Sequence, residues 1–223
     1  MKLRHELKHE ISVGDRIAIA SRLSAVAKRD CHSIGNVYEI RSLYFDNLYD
    51  KALLEKINGV NFREKFRLRY YNGDTSCIVL EKKSKINGLC NKVSVTVSED
   101  EVRKILAGDI DFMLGSDREL LCELYSKMKS QGLRPKTLVD YTREAFTYPA
   151  GNVRVTLDYN IRTGMYSTDF LNWSCVTVPA AQGVTVLEVK WDEYLPDTIR
   201  HAVELKGTRT AAFSKYAACR IYG

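Results

Sequence analysis

In the stretch FREKFRLRYY, Phe62 to Tyr71, charge recurs at every second position. Arg63, Lys65, Arg67 and Arg69 share one parity. Phe62, Phe66, Leu68 and Tyr70 share the other, with Glu64 the single exception. Successive side chains of a β-strand point to opposite faces, so the pattern predicts a strand with four cations on one face and an apolar other face. The same period recurs in four more places. Arg4, Glu6, Lys8 and Glu10 alternate with Leu3, Leu7 and Ile11. Glu81, Lys83 and Lys85 alternate in LEKKSK, where Lys82 is the exception. Arg154, Thr156 and Asp158 alternate with Val153, Val155 and Leu157. Glu188 and Lys190 alternate with Leu187, Val189 and Trp191. Further strands are predicted near 38–46, 75–86, 91–97, 136–148, 152–162, 173–179 and 184–191. Asn72-Gly73-Asp74 and Asn87-Gly88 mark hairpin turns.

Helical periodicity is confined to the spaces between these strands. Residues 12–28 place Ile17, Ile19, Leu23, Val26 and Ala27 on one stripe, with Asp15 as a start signal. A short helix over 47–56 ends at Asn58-Gly59. Ser98-Glu99-Asp100-Glu101 is a capping-box pattern opening a helix to about Ala107. Another helix runs from Asp117 to Ser130, with Gly132 just past its end. Pro196 begins a short helix. The tail, 211–222, is compatible with helix or strand and is read as helix.

Eight or nine strands joined largely by hairpins, with peripheral helices, predict an α+β fold: a closed eight-stranded antiparallel β-barrel rather than a βαβ arrangement. No repeat, low-complexity segment or long linker interrupts the chain, so residues 1–223 are read as one domain.

Composition narrows the chemistry only slightly. The 223 residues are 45% hydrophobic and 28% charged, and the net charge of +6 permits a polyanionic partner without demanding one. The six cysteines, at 31, 77, 90, 122, 175 and 219, form no CxxC pair and no zinc-spaced cluster with histidine, so they are read as reduced thiols. The N-terminal MKLRHELKHEI has no apolar signal core. No run of about 18 apolar residues is present that would span a bilayer. A soluble, cytoplasmic chain without a membrane segment is expected.

Charge placement is more informative than charge total. The polar face of a single antiparallel strand is ordinarily its solvent face. Here the polar positions are Arg, Lys or Glu on strand after strand, and like charges placed opposite one another repel. A closed barrel offers another arrangement, in which helices cover the apolar face and the charged face lines a tunnel. Unpaired cations in such a tunnel are costly unless a ligand neutralises them. Phosphate-rich ligands suit arginine forks and lysine point charges. Glutamates among those cations suit a divalent metal that bridges to phosphate oxygens. A nucleic-acid duplex would not enter, and no interleaved surface aromatics of the stacking kind are evident. Among the 13 tyrosines, Tyr44, Tyr70 and Tyr71 lie beside charged strands. Wall or core packing with a satisfied hydroxyl outweighs stacking on a nucleotide base for them. His5 and His9 fall on the apolar side of the first strand and are read as structural, and His32 and His201 need no role.

Taken in order, RHELKHEI, YEIRSLYFDN, EKINGV, REKFRLRYYNGD, LEKKSK with Lys92, YTREAFTYP, VRVTLD, LEVKW and FSKYAACR resemble the VTC domain, a polyphosphate polymerase domain of the CYTH or triphosphate-tunnel superfamily. The resemblance runs along the whole chain. It implies an eight-stranded tunnel binding ATP and inorganic polyphosphate or triphosphate, with Mn²⁺ or Mg²⁺. Position by position, it implies catalytic roles for Lys8, Arg67, Arg69, Lys83, Arg143, Arg154, Lys190 and Lys215. Glu188, with Glu81 and Glu6, would hold the metal. Arg41, Arg63, Lys65, Lys85, Lys92 and Lys206 are the further substrate-binding candidates. Triphosphatase and cyclase branches usually carry ExExK on the first strand. Here Arg4 stands where a glutamate would, which favours a long anion over two-metal hydrolysis. The expected activity is transfer of the ATP γ-phosphoryl group to a growing polyphosphate chain. An inorganic triphosphatase, or a non-catalytic module binding polyphosphate or an inositol phosphate, is the alternative. No SPX-like helical domain accompanies these motifs.

Overall fold

The computed structural model describes residues 4–30, 35–87, 89–205 and 213–221. In chain order the elements are β1 (His5–Ile11), α1 (Val13–Val26), β2 (Lys28–Arg29), β3 (Tyr38–Asp46), α2 (Lys51–Ile57), β4 (Phe62–Tyr71), β5 (Asp74–Ile86) and β6 (Leu89–Val97). There follow α3 (Glu99–Ala107), α4 (Glu119–Gln131), β7 (Arg134–Tyr148), β8 (Val153–Thr163), β9 (Val178–Pro179), β10 (Thr185–Trp191), α5 (Asp197–Ala202) and α6 (Lys215–Cys219).

Eight of the strands form one antiparallel path, β1-β10-β8-β7-β3-β4-β5-β6, and the two-residue strands β2 and β9 pair onto β7 and β8. The eight-stranded expectation holds, but the closure does not. The sheet curls into an open half-barrel, and its edge strands β1 and β6 meet among the described residues through one isolated bridge, Arg4 to Cys90. The strand expected over 173–179 shrinks to Val178–Pro179. The tail helix covers only Lys215–Cys219.

Local chemistry explains most boundaries. Asn72 and Gly73 both have positive φ, 52° and 73°, as a tight hairpin between right-twisted strands requires. Ser12 rather than Asp15 caps α1: its side chain accepts from the Asp15 amide while the Asp15 carboxylate accepts from the Ser12 amide. Ser98 and Glu101 form the same reciprocal pair at α3. In β8, Asn160 takes φ 52° where the β7–β8 register shifts between Asp140 and Thr142. That bulge resets the side-chain alternation, so Asp158 and Ile161, three apart, both stay on the concave side.

The helices sit where the sequence left apolar strand faces. Phe66, Leu68, Tyr70, Ile78 and Leu80 pack against Val102 and Ile105 of α3 and Leu120, Leu121 and Leu124 of α4. Phe146, Val155, Leu157, Leu187 and Val189 pack against Ile19 and Leu23 of α1 and Ile199 of α5. The two polar exceptions on the outer face of β4 and β5 both find partners on α4: Glu64 pairs with Lys127, and Lys82 with Glu123. A third cluster joins Tyr44, Val139, Tyr141, Ile161 and Val186 to Tyr216 and Cys219 of α6.

Candidate functional site

With their apolar sides covered, the strands turn their charged sides toward one cavity of about 1130 Å³. Among the described residues its walls carry fourteen lysines and arginines against five carboxylates, one of them, Glu64 at the rim, paired outward with Lys127, and the excess is larger than the net +6 of the entire chain. The remainder of the protein is therefore net acidic, and the basic character is concentrated at this one place.

Register sets which charges meet. Lys8 lies opposite Glu188, and Glu6 opposite Lys190, across β1 and β10. Lys8 Nζ contacts Glu6 at 2.8 Å and Glu188 at 3.1 Å, and Lys190 contacts both carboxylates. Lys83 of β5 reaches Glu6 Oε2 at 2.9 Å, an ion pair that spans the open side of the half-barrel. On β4, Arg67 lies opposite Glu81 and donates to it from Nε at 2.7 Å, while Lys92 approaches the same carboxylate at 2.9 Å and Arg69 at 3.6 Å. Arg69 also donates to Ser42 Oγ and Tyr141 Oη. Arg143 binds Asp158 with two nitrogens, at 2.5 and 2.7 Å, and Lys215 reaches Asp158 Oδ2 at 2.5 Å. Arg154 pairs with Asp30 at 2.7 Å and donates to the Tyr38 hydroxyl.

Some of these cations, and others beside them, also face their own kind across the strands. Lys65, Lys83 and Lys92 form a row across β4, β5 and β6, and Arg63 faces Lys85 in the next. Like charges directly opposite on adjacent strands are destabilising. Burial, and then Arg67, Lys83 and Lys8, pull the Lys65 ammonium down to about 8, against an opposing contribution from Tyr44. Burial and the neighbouring Lys8 also lower Lys83. Lys8 moves the other way: burial opposes its charge, but Glu188 and Glu6 outweigh it.

The carboxylates are held ionised. Burial and Glu188 push Glu6 up, yet Lys8, Lys83 and Lys190 bring it from 4.5 to about 2. Burial likewise opposes the charge of Asp158, and Arg143 and Lys215 bring it from 3.8 to about 2. A depressed carboxylate contributes stability that is complete above its unfolded value and is lost as pH falls through its folded value. The thermal midpoint is therefore expected to fall steeply between about pH 4.5 and about pH 2, and less steeply in Glu6→Gln. Calorimetric melts across that range check it. Matching profiles for the two proteins would contradict it.

Glu6 and Glu188 both contact Lys8 and Lys190, and of the three glutamates they are the two that could together hold a divalent cation. Among the described residues no group of three or more His, Cys, Asp and Glu converges. Two carboxylates fit Mg²⁺ or Mn²⁺ when phosphate oxygens complete the coordination, rather than an all-protein cage. Glu81 stands apart from that pair, in the grip of Arg67, Arg69 and Lys92.

Lys8, Arg67, Arg69, Lys83, Arg143, Arg154, Lys190, Lys215, Glu6, Glu81 and Glu188 all line this cavity, as do Arg63, Lys65, Lys85 and Lys92. Arg41 does not. Its guanidinium is 2% exposed on the other side of β3, bound to Asp140 at 2.8 Å and to the Asn172 and Trp173 carbonyls, and it lies over the Trp173 ring. Contrary to the expectation that it contacts substrate, Arg41 is turned away from this cavity and committed to Asp140. Lys206 lies outside the described residues. Tyr70 packs outward, donating to the Phe170 carbonyl at 2.7 Å. Tyr71 lines the cavity and packs edge-on to Tyr38.

The candidates drawn from the sequence omitted Asp158 as a counter-ion, together with Asp30, Tyr38, Tyr141, Arg4 and Lys56 as wall residues, whereas Tyr44, read as core or wall packing, does line the wall. Asp158 and Arg4 carried the same two-residue period as the residues that were found. Lys56 comes from α2, where no strand alternation marks it.

A family model described as the VTC domain matches residues 3–221. No curated protein shows a significant match. A candidate adenylate cyclase from Bacillus halodurans has the same fold, with a TM-score of 0.50 and 13% identity over 90% of this chain and 84% of that one. A candidate adenylate cyclase from Vibrio parahaemolyticus gives a TM-score of 0.46, with 12% identity over 90% of this chain and 82% of its own. A protein from Pyrococcus horikoshii gives 0.45, with 14% identity over 90% of this chain and 85% of its own. Among the described residues no helix is long and apolar enough to cross a membrane. With a match from the first strand through the terminal helix, the chain belongs to the VTC domain family.

Proposed function

We propose that this chain is an ATP-dependent polyphosphate polymerase, transferring the γ-phosphoryl group of ATP to a growing polyphosphate chain. The observation that carries the reading is the rows of like charge, Lys65–Lys83–Lys92 and Arg63–Lys85, on the wall of one cavity. Glu6 and Glu81 answer Lys83 and Lys92 only in part, and the like-charge cost that remains in these rows is one a polyanion relieves. Ligand pockets typically measure about 300–1,000 Å³, so the volume of about 1130 Å³ has room for a nucleotide triphosphate and part of a phosphate chain.

Phosphoryl transfer needs alignment and charge neutralisation more than covalent help from the protein. Arg67, Arg69, Arg143 and Arg154 grip non-bridging oxygens with forked donors. Lys8, Lys65, Lys83, Lys190 and Lys215 neutralise charge along the chain's path. Glu6 and Glu188 would hold a divalent cation, and when bound it would supply charge neutralisation at the reacting phosphates. Lys8, Lys83 and Lys190 release these carboxylates when phosphate offers them a better anion. The terminal phosphate of the chain is itself the nucleophile, so no protein nucleophile is needed.

The test is incubation of purified protein with ATP and Mn²⁺, with products resolved on a polyphosphate gel beside Glu188→Ala. A ladder of long chains that the variant fails to make is expected. Phosphate released from triphosphate without a ladder would move the assignment to a triphosphatase of the same fold. Tight, salt-sensitive polyphosphate binding without turnover would leave a binding module.

A further inference from the structure

Tyr44 is the cavity residue whose hydrogen bonding is incomplete in an informative way. Its ring is 2% exposed and stacks on Tyr216 of α6, with centroids 5.0 Å apart. Its oxygen accepts from Arg67 Nη1 at 2.8 Å. Among the described residues nothing accepts the proton that a neutral phenol there would carry. Cations face it from β4: Arg67, Arg69, and Lys65, whose Nζ stands 5.1 Å from the ring centroid with no carboxylate partner among the described residues. From α6 come Tyr216, whose hydroxyl donates to Asp46 at 2.6 Å, and Lys215, which is held by Asp158. From β7, Tyr141 shares the cluster and accepts from Arg69. From α2, Leu53 packs on the cluster and Lys56 lines the cavity wall. Glu81 enters this network through Arg67.

We propose that Tyr44 is a phosphate-binding residue whose proton follows occupancy. In the free protein its oxygen serves as a counter-ion to Arg67. When a polyanion enters, it becomes a phenol that donates its O–H to a phosphate oxygen, so that binding draws one proton from solution. This rests on the reading of the cavity as a polyphosphate site. Burial pushes the phenol up, but Arg67, Lys65 and Arg69 outweigh it and hold it at about 7. A polyanion replaces that cationic field with a negative one and raises the phenol again. The ligand therefore prefers the protonated protein. Its affinity is complete below about pH 7 and falls up to about tenfold per pH unit above it. Lys65, at about 8 in the free protein, adds a second uptake of the same sign.

The test uses inorganic tripolyphosphate without metal. Near-ultraviolet difference spectra at about pH 8 are expected to show a tyrosinate band in the free protein. Tripolyphosphate should bleach it, and Tyr44→Phe, which keeps the stack on Tyr216, should lack it. Calorimetry in two buffers of different ionisation enthalpy then counts protons for Lys65→Arg and for Lys65→Arg/Tyr44→Phe, which removes the lysine's own titration. The single variant should take up most of one proton more than the double variant. A band that tripolyphosphate leaves unchanged, or equal uptake by the two variants, would overturn the proposal while leaving the polyphosphate reading intact. Absence of any tripolyphosphate binding would overturn that reading and this one with it.

Discussion

Arg67→Ala is expected to lower polyphosphate synthesis about 10²–10³-fold, the scale seen when one preorganised donor to a developing charge is removed. The guanidinium sits between Glu81 and Tyr44, at 2.7 and 2.8 Å, and on the proposed reading its planar fork would follow charge on a transferring phosphoryl group. Loss of the fold is a smaller concern here than at most buried charges. Glu81 keeps Lys92 at 2.9 Å and Arg69 at 3.6 Å, so its carboxylate is not left alone. Arg67→Lys retains the charge without the planar fork and should fall between the two. Rates from a gel or a coupled assay, with a thermal melt to verify folding, decide it. Near-normal synthesis by folded Arg67→Ala would remove Arg67 from the site.

Asp158→Asn is the substitution expected to cost the most stability. The carboxylate is 0% exposed and answers two cations, Arg143 with both oxygens and Lys215 with one. Removing one member of a buried ion pair typically costs about 3–5 kcal/mol, because the remaining charge is left without compensation. For a chain of this size each kcal/mol moves the melting point by about 2–4 °C, so a drop of roughly 6–20 °C should be measured. Tripolyphosphate should then stabilise the variant more than the parent, since the anion replaces the missing carboxylate. A variant that melts with the parent would show that Asp158 is not the counter-ion holding Arg143 and Lys215 in place. A variant that melts early but gains nothing extra from tripolyphosphate would separate those two cations from the anion site.

Both predictions concern charges on the same wall, yet the sequence disclosed them unequally. Arg67 stood in the plainest alternation of the chain, and its face was legible because the other face was apolar. Asp158 shared a two-residue period with Arg154, but its role follows from a neighbour on β7 and another on α6, brought together by pairing across the sheet. Arg41 went wrong for a related reason. In YEIRSLYFD nearly every residue is buried, on both faces, so the strand has no polar and apolar sides to tell apart. Only its register with β4 and β7 shows that Ser42 and Tyr44 look inward while Arg41 looks out.

The sequence by itself determined the strands, their hairpins, the capped helices and the collection of cations on one face, because each depends on residues a few positions apart. Side-chain alternation, a left-handed Asn-Gly turn and a serine cap all act locally. The tertiary structure alone decided closure, since whether β1 and β6 zip together depends on how far the whole sheet curls, and among the described residues they meet at one bridge. It also decided which carboxylate answers which cation, and which tyrosine is surrounded by charge. Coulomb energy depends on distance and burial, and those are set by residues as far apart in the chain as Glu6 and Lys83.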